Sequence, residues 1–307
     1  MPDPTATDVA PPVPGAGDPA DAPDLLAARL GDVGEPDTLA VDAAQATLGG
    51  PSGEEPPADL GRLGELALWW AGVRGDGRAA APRQVLMAGA DPAVAARRAG
   101  ATAVPLPDRD GALDVDDALA WGLATADGAA DRGVALIVLV LDDPATRPLA
   151  ADLLGTDAVE ATGWPADRGL SDRDWMAEVT ALRDRLWALR GLRGRPTDLL
   201  RALGSPAVAG AVALLVQAGV RRTPVLLDGP GATAAALLAR RAAHPVTAWW
   251  QAADASGDPL HRRGLDSLGL VPLTALGVRV SDGTAALPAL GVLDQAAALL
   301  VAPAEAG

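Results

Sequence analysis

The chain has 307 residues, of which 25 are basic and 40 acidic, giving a net charge of −15 and a pI near 4.4. It contains no Cys, and every basic residue is Arg. A disulfide framework, a zinc–thiolate or iron–sulfur site, a thiol nucleophile and a Schiff-base or P-loop lysine are therefore excluded. Two His are too few for a histidine-rich metal site, and the acidic balance disfavours nucleic acid or an anionic membrane as a partner.

Residues 1–57 are rich in Asp, Pro, Ala and Gly, with Pro2, Pro4, Pro11, Pro12 and Pro14 close together. Such a stretch buries too little apolar surface to offset its ordering entropy. The expectation is a flexible acidic segment over 1–57 and one α/β domain over 58–307. A short helical patch at Asp24–Leu30 and weak helical periodicity over Thr38–Leu48 interrupt the first part. No basic region followed by an apolar stretch opens the chain, so no secretory signal is expected. The most apolar runs, Val134–Leu141 and Ala207–Val220, are too short to span a bilayer, and Gln217 breaks the second. A soluble, cytoplasmic protein without a membrane partner is expected.

From Leu60 the pattern changes. Apolar residues at 60, 63, 66, 69 and 70 have helical spacing. A β-type run at Gln84–Ala88, a helix at Pro92–Ala99 and a second β-type run at Thr102–Leu106 follow. Val134–Leu141 is a continuous, β-branched apolar run bounded by Gly133 and Asp142, as suits a buried parallel strand. Helices are expected at Asp172–Leu189, Pro206–Ala218, Ala232–Ala243 and Thr284–Val301, with short strands at Pro224–Leu227 and Val278–Val280. Strand, glycine turn and helix in alternation predict an α/β fold built on a parallel sheet.

Three C-terminal stretches carry candidate chemistry. In the first, a strand ends in Asp228-Gly229-Pro230-Gly231 and opens a helix, where glycines can present N–H groups to an anion. In the second, Arg279-Val-Ser281-Asp282-Gly283-Thr284 places a carboxylate at the carboxyl edge of the sheet, where α/β ligands bind and a general base can act. On spacing alone, a tight turn with a capping Asp comes first for both, ahead of an anion site or a base. The third is Ser256-Gly-Asp258-Pro-Leu-His261. A lone His here reads first as a packing residue and second as a proton carrier.

In chain order, LGRLGELALWWAGVRG, DGPGATAAALLAR, SGDPLHRRGLDSLGLVPL and LGVRVSDGTAALPAL resemble the nicotinate-nucleotide–dimethylbenzimidazole phosphoribosyltransferase family. The resemblance runs from Pro56 to Val301 with gaps and is strongest from Gly204 onward. It implies a Rossmann-like parallel sheet flanked by helices, with a small helical accessory part and homodimeric assembly. It further implies transfer of phosphoribose from nicotinate mononucleotide to dimethylbenzimidazole or a related aromatic base in cobalamin lower-ligand assembly. Neither a cofactor nor a metal is implied. The family's catalytic glutamate takes a proton from the attacking base, and it falls on Asp282, one methylene shorter. Asp228, Gly229, Gly231, Thr233, His261, Gly283 and Thr284 fall on substrate-binding positions.

The departures cluster at the chemistry. The family's glycine-rich loop against the nucleotide falls on Leu139–Arg147, where Asp142, Asp143 and Pro144 replace glycines and Arg147 is the compensating cation. After Met87 the family's base-binding stretch is mostly deleted. Two readings stand: an active transferase with Asp282 as base and Gly229, Gly231, Gly283 and Thr284 as backbone donors, or a catalytically degenerate relative serving as scaffold or partner subunit. A general sugar-nucleotide binding module comes behind both.

Overall fold

Five short apolar runs pair in parallel into one sheet, and their burial explains the order in which they lie. In the computed structural model, which describes residues 26, 33–48, 60–75, 82–108, 111 and 113–301, the strands are β1 (Arg83–Ala88), β2 (Ala101–Pro105), β3 (Leu136–Leu141), β4 (Val225–Asp228) and β5 (Trp250–Ala252). Their spatial order is β2-β1-β3-β4-β5. β3 lies in the middle with all six residues buried, as expected of a strand covered by helices on both faces. The winding reverses between β1 and β3.

Helices Pro92–Ala99 and Val115–Asp131 connect β1 to β2 and β2 to β3. A long helical excursion separates β3 from β4. It includes Thr146–Leu154, Asp172–Leu189 and Pro206–Val220. The last of these is apolar all round, and every residue from Pro206 to Gly219 is buried. It crosses Val115–Asp131 so closely that a Cβ at Gly122 would lie 2.3 Å from the Gly210 carbonyl oxygen. Gly229–Ala242 joins β4 to β5, and Pro259–Leu268 and Ala286–Ala298 close the chain over the sheet edge.

Several expectations need correction. Val278–Val280 is not a strand; it belongs to an irregular run whose N–H groups at Leu276 and Val278 donate to the Asp254 carboxylate. Trp250–Ala252, which the sequence shows only as a tryptophan pair before a loop, is the edge strand β5. Val115–Asp131 and Thr146–Leu154 form helices where none was expected. Residues 33–48 are among the described residues. There Thr38–Leu48 packs on the Gly61–Arg74 helix, and the Asp37 N–H donates to the Gly72 carbonyl at 2.8 Å. The Trp249 indole also donates to the Gly34 carbonyl at 2.9 Å. Of the Asp24–Leu30 patch only Leu26 is among the described residues; it is a buried turn residue in the core.

Two glycines in long helices give opposed expectations. A Cβ at Gly231 would stand 1.8 Å from the Leu141 carbonyl oxygen, whereas one at Gly291 meets nothing within 4 Å. Gly291→Ala should therefore raise stability by about 0.5–1 kcal/mol through helix propensity. Gly231→Ala should lower the melting temperature steeply, since backbone must move to admit it. Thermal melts of the two variants check both; equal effects would show that helix propensity, not space, governs these sites.

Candidate active site

The sheet delivers carboxylates to its carboxyl edge: β3 runs into Asp142-Asp143, β4 ends on Asp228, and β5 leads to Asp254. Two adjoining clefts of about 660 and 410 Å³ open over that edge. The larger lies between helices Thr146–Leu154, Asp172–Leu189 and Gly229–Ala242, with Leu141, Pro148, Leu182 and Leu237 in its walls. The smaller is lined by Asp228, Asp254, Ser256, His261, Arg279 and Ser281. Asp142, Arg147 and Asp258 belong to both.

Asp228 is fully buried. Its Oδ2 accepts the Ala286 N–H at 2.9 Å, while Oδ1 has no partner. Burial, with Asp282 and Asp254 nearby, pushes its carboxyl up to about 7, against the pull of the Ala286 bond. Asp254 is equally enclosed but saturated: it accepts from the Thr274 hydroxyl at 2.7 Å, the Leu276 N–H at 2.6 Å and the Val278 N–H at 2.9 Å. Burial opposes its charge, yet these bonds outweigh it and hold the group below the usual carboxylate range. Asp258 caps the Pro259–Leu268 helix, accepting from the Leu260 N–H at 2.8 Å. Asp143 faces inward, accepting from the Ala145 N–H at 2.7 Å and the Ser205 hydroxyl at 3.0 Å, so it ties two helix starts together.

The residues singled out in the sequence meet at this edge with altered duties. Arg147 lines both clefts. It pairs with Asp258 at 2.8 Å and donates to the Ala161 carbonyl. His261 is buried, with Nδ1 2.7 Å from the Ser256 hydroxyl, and burial lowers it to about 4, so it is neutral near pH 7. Gly229 turns the chain at φ +85°, 3.5 Å short of the Ser281 hydroxyl at its missing Cβ. Gly231 lies flat against the end of β3, a packing duty. The Thr233 hydroxyl bonds back to the Gly229 carbonyl at 3.1 Å. Gly283, at φ +82°, presses on Ala95 and Met87. Asp282 is exposed and lines neither cleft; its Oδ1 accepts the Thr284 N–H at 3.0 Å. Hydrogen bonding from Thr284, aided by Arg98, lowers its carboxyl against the opposing effect of burial.

Sequence reasoning missed Asp254, and it left Ser256 and Asp258, which it did single out, without a role at the cleft. Asp258 was legible as an N-cap before Pro259. Asp254 had no local signature, because its partners lie some twenty residues on, at Thr274, Leu276 and Val278.

Asp228 and His261 bear opposite pH signatures. Asp228 is raised from 3.8 to about 7, so the folded protein binds the extra proton, and stability from this group falls as pH rises between those values. His261 is lowered from 6.5 to about 4, so the unfolded chain binds the extra proton, and its contribution falls as pH drops through that window. Asp228→Asn removes the first slope. The melting temperature of the variant relative to wild type should therefore be higher at about pH 8 than at about pH 5. A pH-independent difference would mean that Asp228 ionises in the folded protein as it does in an open chain.

Residues 112–306 match the family described as "Phosphoribosyltransferase". The nicotinate-nucleotide–dimethylbenzimidazole phosphoribosyltransferase of Streptomyces avermitilis is 39% identical over 202 residues, covering 62% of this chain and 54% of its own length. The enzyme of that name from Corynebacterium efficiens is 36% identical over 203 residues, covering 62% and 55%. The chain thus spans about half the length of the curated relatives it matches. The crystal structure of CobT from Thermus thermophilus shares the fold, with a TM-score of 0.70 at 24% identity over 85% of this chain and 96% of that one. With the family pattern matched over well more than half of its residues, the chain belongs to the phosphoribosyltransferase family.

Proposed function

We propose that the protein transfers phosphoribose from nicotinate mononucleotide to dimethylbenzimidazole or a related aromatic base, as its relatives' name describes. The family match across residues 112–306 carries this reading, because it takes in the whole cleft edge from Asp142 to Thr284. The site supports it in two ways. Asp228 gives no side-chain cap to the Gly229–Ala242 helix, which leaves the first N–H groups of a long helix to favour an anion such as the nucleotide phosphate. The larger cleft is walled mainly by aliphatic side chains, as suits a flat aromatic acceptor.

In the proposed reaction a nitrogen of the base attacks the ribose C1′, the bond to nicotinate breaks, and the proton on the other ring nitrogen leaves to a carboxylate. Asp282 is that carboxylate in this reading, charged at neutral pH through Thr284 and Arg98. Gly229, Gly231, Thr233, Gly283 and Thr284 shape the nucleotide's surroundings, and His261 acts as a neutral partner of Ser256. Arg147 orients the helix that Asp258 caps. Homodimeric assembly and a cytoplasmic setting belong to the same proposal. Among the described residues no helix is long and apolar enough to cross a membrane. The degenerate-relative reading gains one further observation, that Asp282 caps a turn and lines neither cleft.

The test is turnover of nicotinate mononucleotide with dimethylbenzimidazole in wild type and two variants. Asp282→Asn keeps a capping acceptor, so its melting temperature should hold. Its turnover should fall roughly 10²–10⁴-fold as general-base assistance is lost. Asp282→Glu should raise the rate by restoring reach. An Asn variant as active as wild type removes Asp282 from the mechanism. No turnover in any of the three, with the fold intact, selects the degenerate relative.

A further inference from the structure

Seven of the eight tryptophans are placed by packing or bonding, and the eighth stands open at a cleft. Trp70, Trp249 and Trp250 are fully buried, and Trp121 is nearly so. The Trp69 and Trp175 indoles donate to the Ala248 and Gly163 carbonyls at 2.8 and 2.7 Å. Trp187 is exposed but carries the Arg190 guanidinium 4.0 Å over its ring. Trp164 is 76% exposed, and its indole has no hydrogen-bond partner among the described residues. The backbone beside it is nonetheless fixed. Gly163 donates to the Val159 and Glu160 carbonyls at 3.1 and 3.2 Å and accepts the Trp175 indole N–H, and Pro165 opens the next helical turn. A lone exposed aromatic is ordinary on a plain surface. Trp164, however, lines the smaller cleft, at a rim it shares with Arg168, Arg262 and Arg279. Asp142 brings an exposed carboxylate to the same cleft. Arg168 is paired with Glu178, whereas Arg262 has no ion pair among the described residues. A flat aromatic face, a cation for an anion and an acid for a cation suit an aromatic zwitterion.

We propose that Trp164 is the platform on which the nicotinate ring of the mononucleotide stacks, with the ring's carboxylate turned to Arg262. This inference rests on the proposed phosphoribosyl substrate and deepens it. With the phosphate at the start of the Gly229–Ala242 helix, where Gly229 and Pro230 line the same cleft, the ring at the other end of the mononucleotide is left for the rim. That ring is a pyridinium, a flat cation, and an indole face is the strongest aromatic partner for a cation. A guanidinium offers the ring carboxylate a planar, two-pronged donor. When the base attacks C1′, the electron pair of the breaking bond passes to the ring nitrogen and the ring becomes neutral. Its attraction to Trp164 weakens at that moment, so the indole holds the substrate and lets nicotinate go. Trp164 thus serves binding rather than the chemical step, and its loss raises KM for nicotinate mononucleotide while leaving kcat unchanged or higher.

The experiment is a titration of the full chain, without the acceptor base, followed by tryptophan fluorescence and calorimetry. Nicotinate mononucleotide should quench part of the wild-type emission, and that part should be missing from Trp164→Ala. Its dissociation constant should rise roughly 3- to 30-fold in Trp164→Ala and by less in Trp164→Phe, which keeps an aromatic face. Arg262→Gln should weaken nicotinate mononucleotide but not nicotinamide mononucleotide, which has the pyridinium without the carboxylate. Ribose 5-phosphate, which has no ring, should bind wild type and Trp164→Ala alike, and the melting temperature should hold because the side chain is exposed. Equal affinity of wild type and either Trp164→Ala or Arg262→Gln for nicotinate mononucleotide overturns the inference, as does an equal loss for ribose 5-phosphate. Binding through Trp164 without turnover when the base is added keeps the inference and removes the transferase reading. Turnover with equal affinities does the reverse.

Discussion

Nothing larger than a hydrogen atom fits between Gly231 and the Leu141 carbonyl oxygen, and the carboxyl edge is arranged around that contact. It presses the first turn of the Gly229–Ala242 helix against the end of the central strand. Gly229 turns with positive φ two residues earlier, and Asp228 before it is buried. The same helix start then borders both clefts. A bulkier residue at 231 would lift the helix away from β3 and open the floor on which Asp228 is sealed.

Once the edge is fixed, the carboxylates there are explained by what they hold rather than by repulsion. Asp143 joins two helix N-termini through Ala145 and Ser205. Asp258 starts the Pro259–Leu268 helix and fixes Arg147 against it. Asp254 replaces a sheet partner, gathering the N–H groups of a run too irregular to form a ladder. Each is buried or half-buried, and each is tolerable because its oxygens are occupied. Seen from the sequence, the Asp142-Asp143 pair looked like two added negative charges facing a phosphate. In the fold only Asp142 faces solvent.

The sheet was legible where the chain signals it continuously. The apolar run ending at Leu141 needed no partner to be read as a central strand, and the Pro206–Val220 helix announced itself by length and composition. β5 was hidden because three residues, two of them Trp and Gln, carry no periodicity that could be counted. Val278–Val280 misled for the opposite reason: β-branched residues in alternation look like a strand, while the Val278 N–H answers to a side chain. Asp228 and Asp282 were both visible as strand-end carboxylates. What separates them, full burial in one and exposure in the other, depends on the Ala286–Ala298 helix closing over β4, and no local pattern encodes that.

That separation gives the edge its chemical character. Asp282 keeps its charge because Thr284 and Arg98 support it, and its charge in turn makes ionisation harder for Asp228. Burial raises Asp228 to about 7 while hydrogen bonding from Thr284 lowers Asp282, so two carboxyl groups at one sheet edge differ in acidity. The division here follows from a glycine contact that seals one carboxylate and a turn that leaves the other outside. Arg147, the cation shared by the two clefts, is held by Asp258, and the charge of Asp282 is supported instead by Thr284 and Arg98.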